Sequence, residues 1–396
     1  MTAAEAPPRV RNAFQVERQG DLAIIWFDLP GEKVNKFSST VMLEFGALVD
    51  EMAQSRDIRR IIIASKKPGI FIAGADVSEF GKAPSPEEAK QYVRFGQQAF
   101  QRLSKLPQVV VAAIDGACVG GGCELAISCD YRVITDSPKS TIGLPEVKLG
   151  IFPAWGGTTK LPRLIGLPAA LDIVLNGKTL DPKRAKRVGL VDEVVAPGIL
   201  LDVARQFAAL SKRGDVDRTK FYIEGNPITR GIVFRKARQA VLKQTRGKYP
   251  APLAALEVME YGFSAGVERG LEREAERVVP LIEGDVAKNL VRLFFLMEDS
   301  KKDPIQARPL PVESVGVLGA GVMGGGIAQI VADKTDAVVR MRDINWNAIS
   351  GGLKAAARVW KKKVERRRMS RGEMQRKMAR ITGTLDWSGF AHADLV

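Results

Sequence analysis

The spacing of hydrophobic positions changes period several times along the chain. Phe14–Arg18 and Leu22–Asp28 are short apolar-rich runs separated by Gln19-Gly20-Asp21, which predicts two strands joined by a turn. Val41–Ala53 has helical periodicity and ends near Arg56-Asp57, and Arg60–Ala64 predicts a buried strand. A Gly-rich turn, a helix over Pro86–Leu106 and the strand Val109–Ile114 follow. Short strands and helices alternate to about Val195, the mark of an α/β domain. From Ile199 to about Glu298 the pattern is helical. Lys301-Lys302-Asp303-Pro304 through Arg308-Pro309-Leu310-Pro311 is charged and proline-rich, so no helix continues through it. A second α/β pattern opens with the strand Ser314–Leu318 and continues through a helix over Gly325–Asp333 and a strand over Ala337–Met341. It stops at Val396, just after Ala393-Asp394-Leu395, which reads as the start of another strand; ending there leaves the sheet incomplete. The expected organisation is an α/β core over 1–200, a helical region over 201–300, a linker over 301–312 and a partial α/β unit over 313–396.

With 396 residues, two or three domains are expected. A composition of 45% hydrophobic and 27% charged residues excludes global disorder. No apolar run reaches the length of a membrane span, and Met1–Pro8 lacks the apolar core of a secretory signal. Cys118, Cys123 and Cys129 are too few for a disulfide scaffold and fit no zinc spacing. They read as small buried apolar residues of a cytoplasmic protein, and with one histidine in the chain no metal site is expected. The net charge of +15 is largely local: Lys354 to Arg380 holds twelve basic residues against Glu365 and Glu373. Leu353, Ala357, Trp360 and Val364 recur at helical spacing there, predicting a helix with one buried stripe and a solvated basic face. The alternative is a patch for RNA, an acidic lipid surface or a phosphorylated ligand. No interleaved aromatics offer base stacking, so nucleic acid is not the expected partner.

Three segments concentrate the chemistry: Phe71-Ile72-Ala73-Gly74-Ala75-Asp76-Val77, the run Asp115-Gly116-Ala117-Cys118-Val119-Gly120-Gly121-Gly122-Cys123-Glu124-Leu125-Ala126, and Gly143-Leu144-Pro145-Glu146-Val147-Lys148-Leu149-Gly150-Ile151-Phe152-Pro153. Three consecutive glycines after a strand let the backbone approach a ligand without a β-carbon in the way. A helix starting there offers unpaired N–H groups and a dipole that favours negative charge, such as an enolate oxygen. Taken singly, each segment also has a plain structural explanation in packing or solvation.

Together the three segments resemble the crotonase (enoyl-CoA hydratase/isomerase) superfamily. The resemblance continues through Leu175-Asn176-Gly177-Lys178-Thr179 and Ala185–Val195. Gly177-Lys178-Thr179 is no P-loop, because position 172 is Asp172 rather than glycine. The resemblance implies a ββα spiral domain with a helical C-terminal region. It implies an acyl-CoA thioester substrate, held near Ala73, Gly74, Ala75, Asp76 and Gly121, with the amides of Ala73 and Gly121 as the oxyanion hole. It also implies Glu124 and Glu146 as catalytic carboxylates, Glu124 activating water toward C3 and Glu146 protonating C2 of a trans-2-enoyl-CoA. A Δ3,Δ2-enoyl-CoA isomerase or an acyl-CoA hydrolase is the alternative within the fold.

In the second unit, Val315-Gly316-Val317-Leu318-Gly319-Ala320-Gly321-Val322-Met323-Gly324 sets G-x-G-x-x-G directly after a strand. Asp343 follows at the spacing of a ribose-binding acid, so Gly319, Gly321, Gly324 and Asp343 read as a dinucleotide site. Asp343 favours NAD, while the adjacent Arg342 keeps NADP open. This unit resembles the start of 3-hydroxyacyl-CoA dehydrogenase. A hydratase followed by it resembles the fatty-acid oxidation multifunctional α-subunit, which implies a thiolase partner; isolated crotonases imply homo-oligomers. That dehydrogenase uses a histidine–glutamate pair, and the only histidine here is His392. The expectation is an incomplete Rossmann-type unit with weak or no NAD binding and no dehydrogenase activity.

Overall fold

The computed structural model describes residues 13–80, 85–213, 226–301, 310–366 and 368–396. Met1–Pro8, most of the proline-rich linker and Arg367 lie outside them. The chain divides into two units, residues 1–302 and 303–396.

The first unit is a spiral of strand–strand–helix turns. Its strands are β1 (Phe14–Gln19), β2 (Leu22–Phe27), β3 (Arg60–Ser65), β4 (Ile70–Ile72), β5 (Val109–Ile114), β6 (Ala117–Val119), β7 (Tyr131–Thr135), β8 (Thr141–Gly143), β9 (Thr179–Leu180) and β10 (Glu193–Val195). The large sheet runs β1-β2-β3-β5-β7-β10 and the small one β4-β6-β8-β9. The turns that begin with β3, β5 and β7 therefore each add a strand to the large sheet and the next strand to the small one. Every residue of β5 and β7 is buried, which explains the continuous apolar composition of β5, while in β7 the buried Arg132 is paired with Asp192. The helices are α1 (Ser39–Gln54), α2 (Pro86–Lys105), α3 (Gly121–Ala126), α4 (Gly157–Ile165), α5 (Leu167–Asn176), α6 (Pro182–Val188) and α7 (Leu200–Ala208). A helical region follows, with α8 (Pro227–Thr245), α9 (Pro250–Ala265), α10 (Val267–Ile282) and α11 (Asp285–Asp299). Ser38 caps α1 and Ser85 caps α2, each accepting a hydrogen bond from an N–H of the first turn. Cys118, Cys123 and Cys129 are free and buried, and burial pushes their thiols upward.

In the second unit, β11 (Ser314–Leu318), β12 (Val338–Arg342) and β13 (Ile381–Thr384) form a parallel sheet. Leu395 makes a single isolated bridge to Val315 on the other edge of β11. The helices are α12 (Val322–Lys334), α13 (Trp346–Glu365) and α14 (Arg371–Ala379). The basic segment is therefore two helices, and the stripe α13 buries is Ile349, Gly352, Ala356 and Trp360, with Leu353, Ala357 and Val364 only half-buried. No described helix is long and apolar enough to cross a membrane.

Candidate active site

Strands β4, β6 and β8 run parallel in the small sheet, so the segments that follow them emerge at one edge. Ligands in such sheets sit beyond the carboxyl ends of the strands. The segment after β4 carries Ala73–Asp76, α3 after β6 carries Glu124, and the single helical turn Glu146–Leu149 after β8 carries Glu146. Ala73, Gly74, Ala75, Gly121, Glu124 and Glu146 all line one cavity of about 520 Å³. Its far wall includes Phe80, Ala89 and Tyr92; Gly81–Pro84 lie outside the described residues.

The two carboxylates meet different surroundings. Glu124 is buried, and its Oε1 accepts from the amides of Trp155 (2.7 Å) and Gly157 (2.9 Å). Burial and then the charge of Glu274 push Glu124 up to about 8, against those two hydrogen bonds. Burial and then the charge of Glu124 push Glu146 well above the carboxylate range, and Oε2 of Glu146 has no hydrogen-bond partner. Two donors favour the ionised form of Glu124 and none supports that of Glu146 Oε2, so Glu146 is the better proton holder of the two.

The backbone corrects one expectation. The Ala73 amide donates to the Asn35 carbonyl at 2.8 Å and is not free to bind a thioester oxygen. Gly74 has φ +100°, which breaks the alternation of amide directions along the segment. Phe37 then pairs with Gly74 O and Asp76 N, leaving the Ala75 amide without an acceptor among the described residues. The Ala75 nitrogen lies 3.6 Å from where a β-carbon on Gly121 would sit. Gly121 opens α3, where the helix supplies no acceptor for its N–H. Ala75 and Gly121 thus form the donor pair at this place. Asp76 also departs from expectation: it does not line the cavity, and its carboxylate takes Lys36 at 3.1 Å and the Ser78 amide at 3.0 Å.

Two further residues had no place in the sequence reading. The Trp155 ring would lie 2.5 Å from a β-carbon at Gly121 or Gly96, and it packs edge-on against Phe37, Tyr92 and Phe100. Glu274 is a fully buried carboxylate of α10. The signal for it was an acid on the buried stripe Leu271, Ala275, Val278; Trp155 was signalled only by its position in a Gly- and Pro-rich run.

In the second unit, Gly319 has φ +91°, and a β-carbon on Gly319 or Gly321 would meet open space. A β-carbon on Gly324 would fall 1.7 Å from the Gly319 carbonyl, so only glycine lets α12 pack this close to the loop. Gly321 caps α12 with no side-chain hydrogen bond. Asp343, just past β12, accepts from the Ala320 amide at 2.6 Å and so braces the loop. An open glycine loop, an uncapped helix start and an acid at the strand end fit a dinucleotide. His392 is exposed, and its carbonyl accepts from the Ser314 hydroxyl.

Two glutamates from successive turns of a spiral α/β fold thus face one cavity beside a glycine turn. The enoyl-CoA hydratase/isomerase family profile matches residues 17–217, and the NAD-binding domain profile of 3-hydroxyacyl-CoA dehydrogenase matches residues 314–396. The chain belongs to the enoyl-CoA hydratase/isomerase family and has the domain order of a multifunctional hydratase/dehydrogenase of fatty-acid β-oxidation. Among solved structures it resembles human mitochondrial delta3-delta2-enoyl-CoA isomerase, at 25% identity over 74% of this chain and 100% of that one, with a TM-score of 0.54. It shares its fold with a putative enoyl-CoA hydratase from Streptomyces avermitilis, at 20% identity over 77% of this chain and 95% of that one, with a TM-score of 0.52.

Proposed function

We propose that the first unit is an enoyl-CoA hydratase, adding water to a trans-2-enoyl-CoA to give a 3-hydroxyacyl-CoA. The observation that carries this reading is the placement of Glu124 and Glu146 on one cavity, with two amide donors on Glu124 Oε1 and no partner on Glu146 Oε2. The amides of Ala75 and Gly121 hold the thioester oxygen as it gains charge. Glu124 takes a proton from water as its oxygen bonds to C3. The electron pair moves from the double bond to the enolate, and Glu146 delivers its proton to C2 as the thioester carbonyl reforms. The three buried thiols suit a reducing compartment, here the cytoplasm.

The test is the loss of enoyl-thioester absorbance in the purified chain. Glu124→Gln and Glu146→Gln each lower kcat by about 10²-fold or more, the range for removing a general acid or base. Near-normal hydration in either variant rejects the pair. The similarity to an isomerase supports a second reading: Δ3,Δ2-isomerisation needs one proton shuttle, so only one of the two variants would then lose activity.

The second unit we read as an NAD site, with Gly319, Gly321 and Gly324 shaping the phosphate turn and Asp343 at the ribose position. NAD supplies a hydride acceptor when bound. The resemblance implies a histidine as the dehydrogenase base, and the one histidine of the sequence, His392, is exposed beside Ser314 at the opening of β11, the strand end opposite the glycine loop. Oxidation of 3-hydroxyacyl-CoA by these 396 residues is therefore not expected.

A further inference from the structure

Glu274 accepts four hydrogen bonds and donates none. Oε1 takes the hydroxyls of Thr158 (2.5 Å) and Thr159 (2.7 Å), while Oε2 takes the Gly156 amide (2.9 Å) and Gln97 Nε2 (3.3 Å). All these donors except Gln97 belong to the Gly156–Thr159 turn. The amides on either side of Gly156, those of Trp155 and Gly157, are the two that hold Oε1 of Glu124. A buried carboxylate from α10, outside the spiral's own turns, thus clamps the peptide that grips the water-activating glutamate. A buried carboxylate is costly to desolvate, and the four donors offset that cost by pairing both of its oxygens.

We propose that Glu274 is a positioning residue for Glu124: it fixes the turn whose amides aim Oε1 of Glu124 into the cavity. Its carboxylate is a like charge beside Glu124, and burial pushes Glu274 itself up to about 7. The inference rests on the hydratase reading above. The other charges facing the pair are Glu146 from the turn after β8 and Lys160 from α4, which opposes Glu274. The α2 neighbour is the neutral Gln97. On α9, Glu257 is engaged with Arg273 and Arg277 along a half-buried flank of α10.

The test compares Glu274→Gln and Glu274→Ala with wild type in the full chain. Glutamine keeps an oxygen for Gly156 while its amide faces hydroxyls that can turn to accept, so charge is removed and the clamp kept. Its kcat–pH profile should have an acidic limb displaced to lower pH by about one unit, because a like charge beside Glu124 is gone. Alanine should lower kcat by about 10-fold or more with little change in KM, since a small misplacement of a catalytic group is costly. Glutamine should restore most of that loss. Deuterium exchange of the peptide spanning residues 155–160 should quicken in Glu274→Ala and stay slow in Glu274→Gln. An acidic limb coincident with wild type in Glu274→Gln overturns the proposal, and that variant decides alone if Glu274→Ala does not fold. A wild type without hydration overturns the hydratase reading instead. The exchange rates then judge the clamp, and unchanged protection in Glu274→Ala rejects it.

Discussion

At the residue scale, two groups of the site are set by contacts that span the sequence: Glu274 holds Gly156, and the Phe37 segment orients the peptide before Ala75. Glu124 and Glu146 stand inside contiguous motifs, so their types and neighbours announced them. Glu274 meets Gly156 across 118 positions of sequence, and no local pattern encodes that pairing. The slip from Ala73 to Ala75 has a similar cause: amide direction depends on the positive φ of Gly74 and on the bridge to Phe37, which only the fold brings together. An ester in place of the Gly74–Ala75 peptide bond, introduced as an α-hydroxy acid, should lower kcat by about 10²-fold, the cost of one oxyanion donor. The ester at Ile72–Ala73 removes only the hydrogen bond to Asn35 and should cost about 1 kcal/mol of stability with kcat largely kept. The reverse ranking would return the oxyanion role to Ala73. Gly121→Val is a coarser check. Its side chain has to displace the Trp155 ring, and activity should be lost in a chain whose circular dichroism is unchanged.

At the scale of elements, periodicity located β5 and β11 to the residue and the helices α1, α2 and α12 to within a few positions, because burial on one face or both leaves a strong pattern. It misjudged the basic segment, where charge outweighed the apolar stripe and hid the break between α13 and α14. Part of that charge has a structural task. Asp333 of α12 accepts from Trp360 Nε1 (2.9 Å), Lys363 (2.8 Å) and Lys377 (2.9 Å), joining three helices at one carboxylate. Although burial pushes it upward, hydrogen bonds from Lys363, Lys377 and Trp360 hold Asp333 well below the usual carboxylate range. Its contribution to stability is therefore complete above the unfolded carboxylate value near 4 and fades as pH falls toward the lower folded value. Asp333→Ala should destabilise the second unit by about 2 kcal/mol at neutral pH, the scale of hydrogen bonds to a charged group. The difference from wild type should shrink in acid, as read by denaturant melts at several pH values. A constant difference across that range would mean that the ionised carboxylate is not what joins the helices.

At the scale of the whole molecule, the two units have separate hydrophobic cores, one built around Phe37, Phe45 and Phe100 and the other around Trp360, Met341 and Val339. Groups that share no packing or hydrogen-bond partners contribute additively. Damage to one unit should accordingly leave the other's property intact. Glu124→Gln should lower hydration by about 10²-fold or more while the unfolding of the second unit is unchanged, and Asp333→Ala should lower that unfolding midpoint while the hydration rate at about 25 °C is unchanged. The same preparations carry the dehydrogenase question. Supplied with a 3-hydroxyacyl-CoA and NAD, wild type should give no NADH above the substrate-free blank, because the one histidine, His392, stands by Ser314 at the opening of β11 and not at the glycine loop. NADH formation that survives Glu124→Gln but is lost in Asp343→Ala would place a working dehydrogenase in the second unit and reject this expectation. Loss of hydration in Asp333→Ala would instead show that the two units work as one.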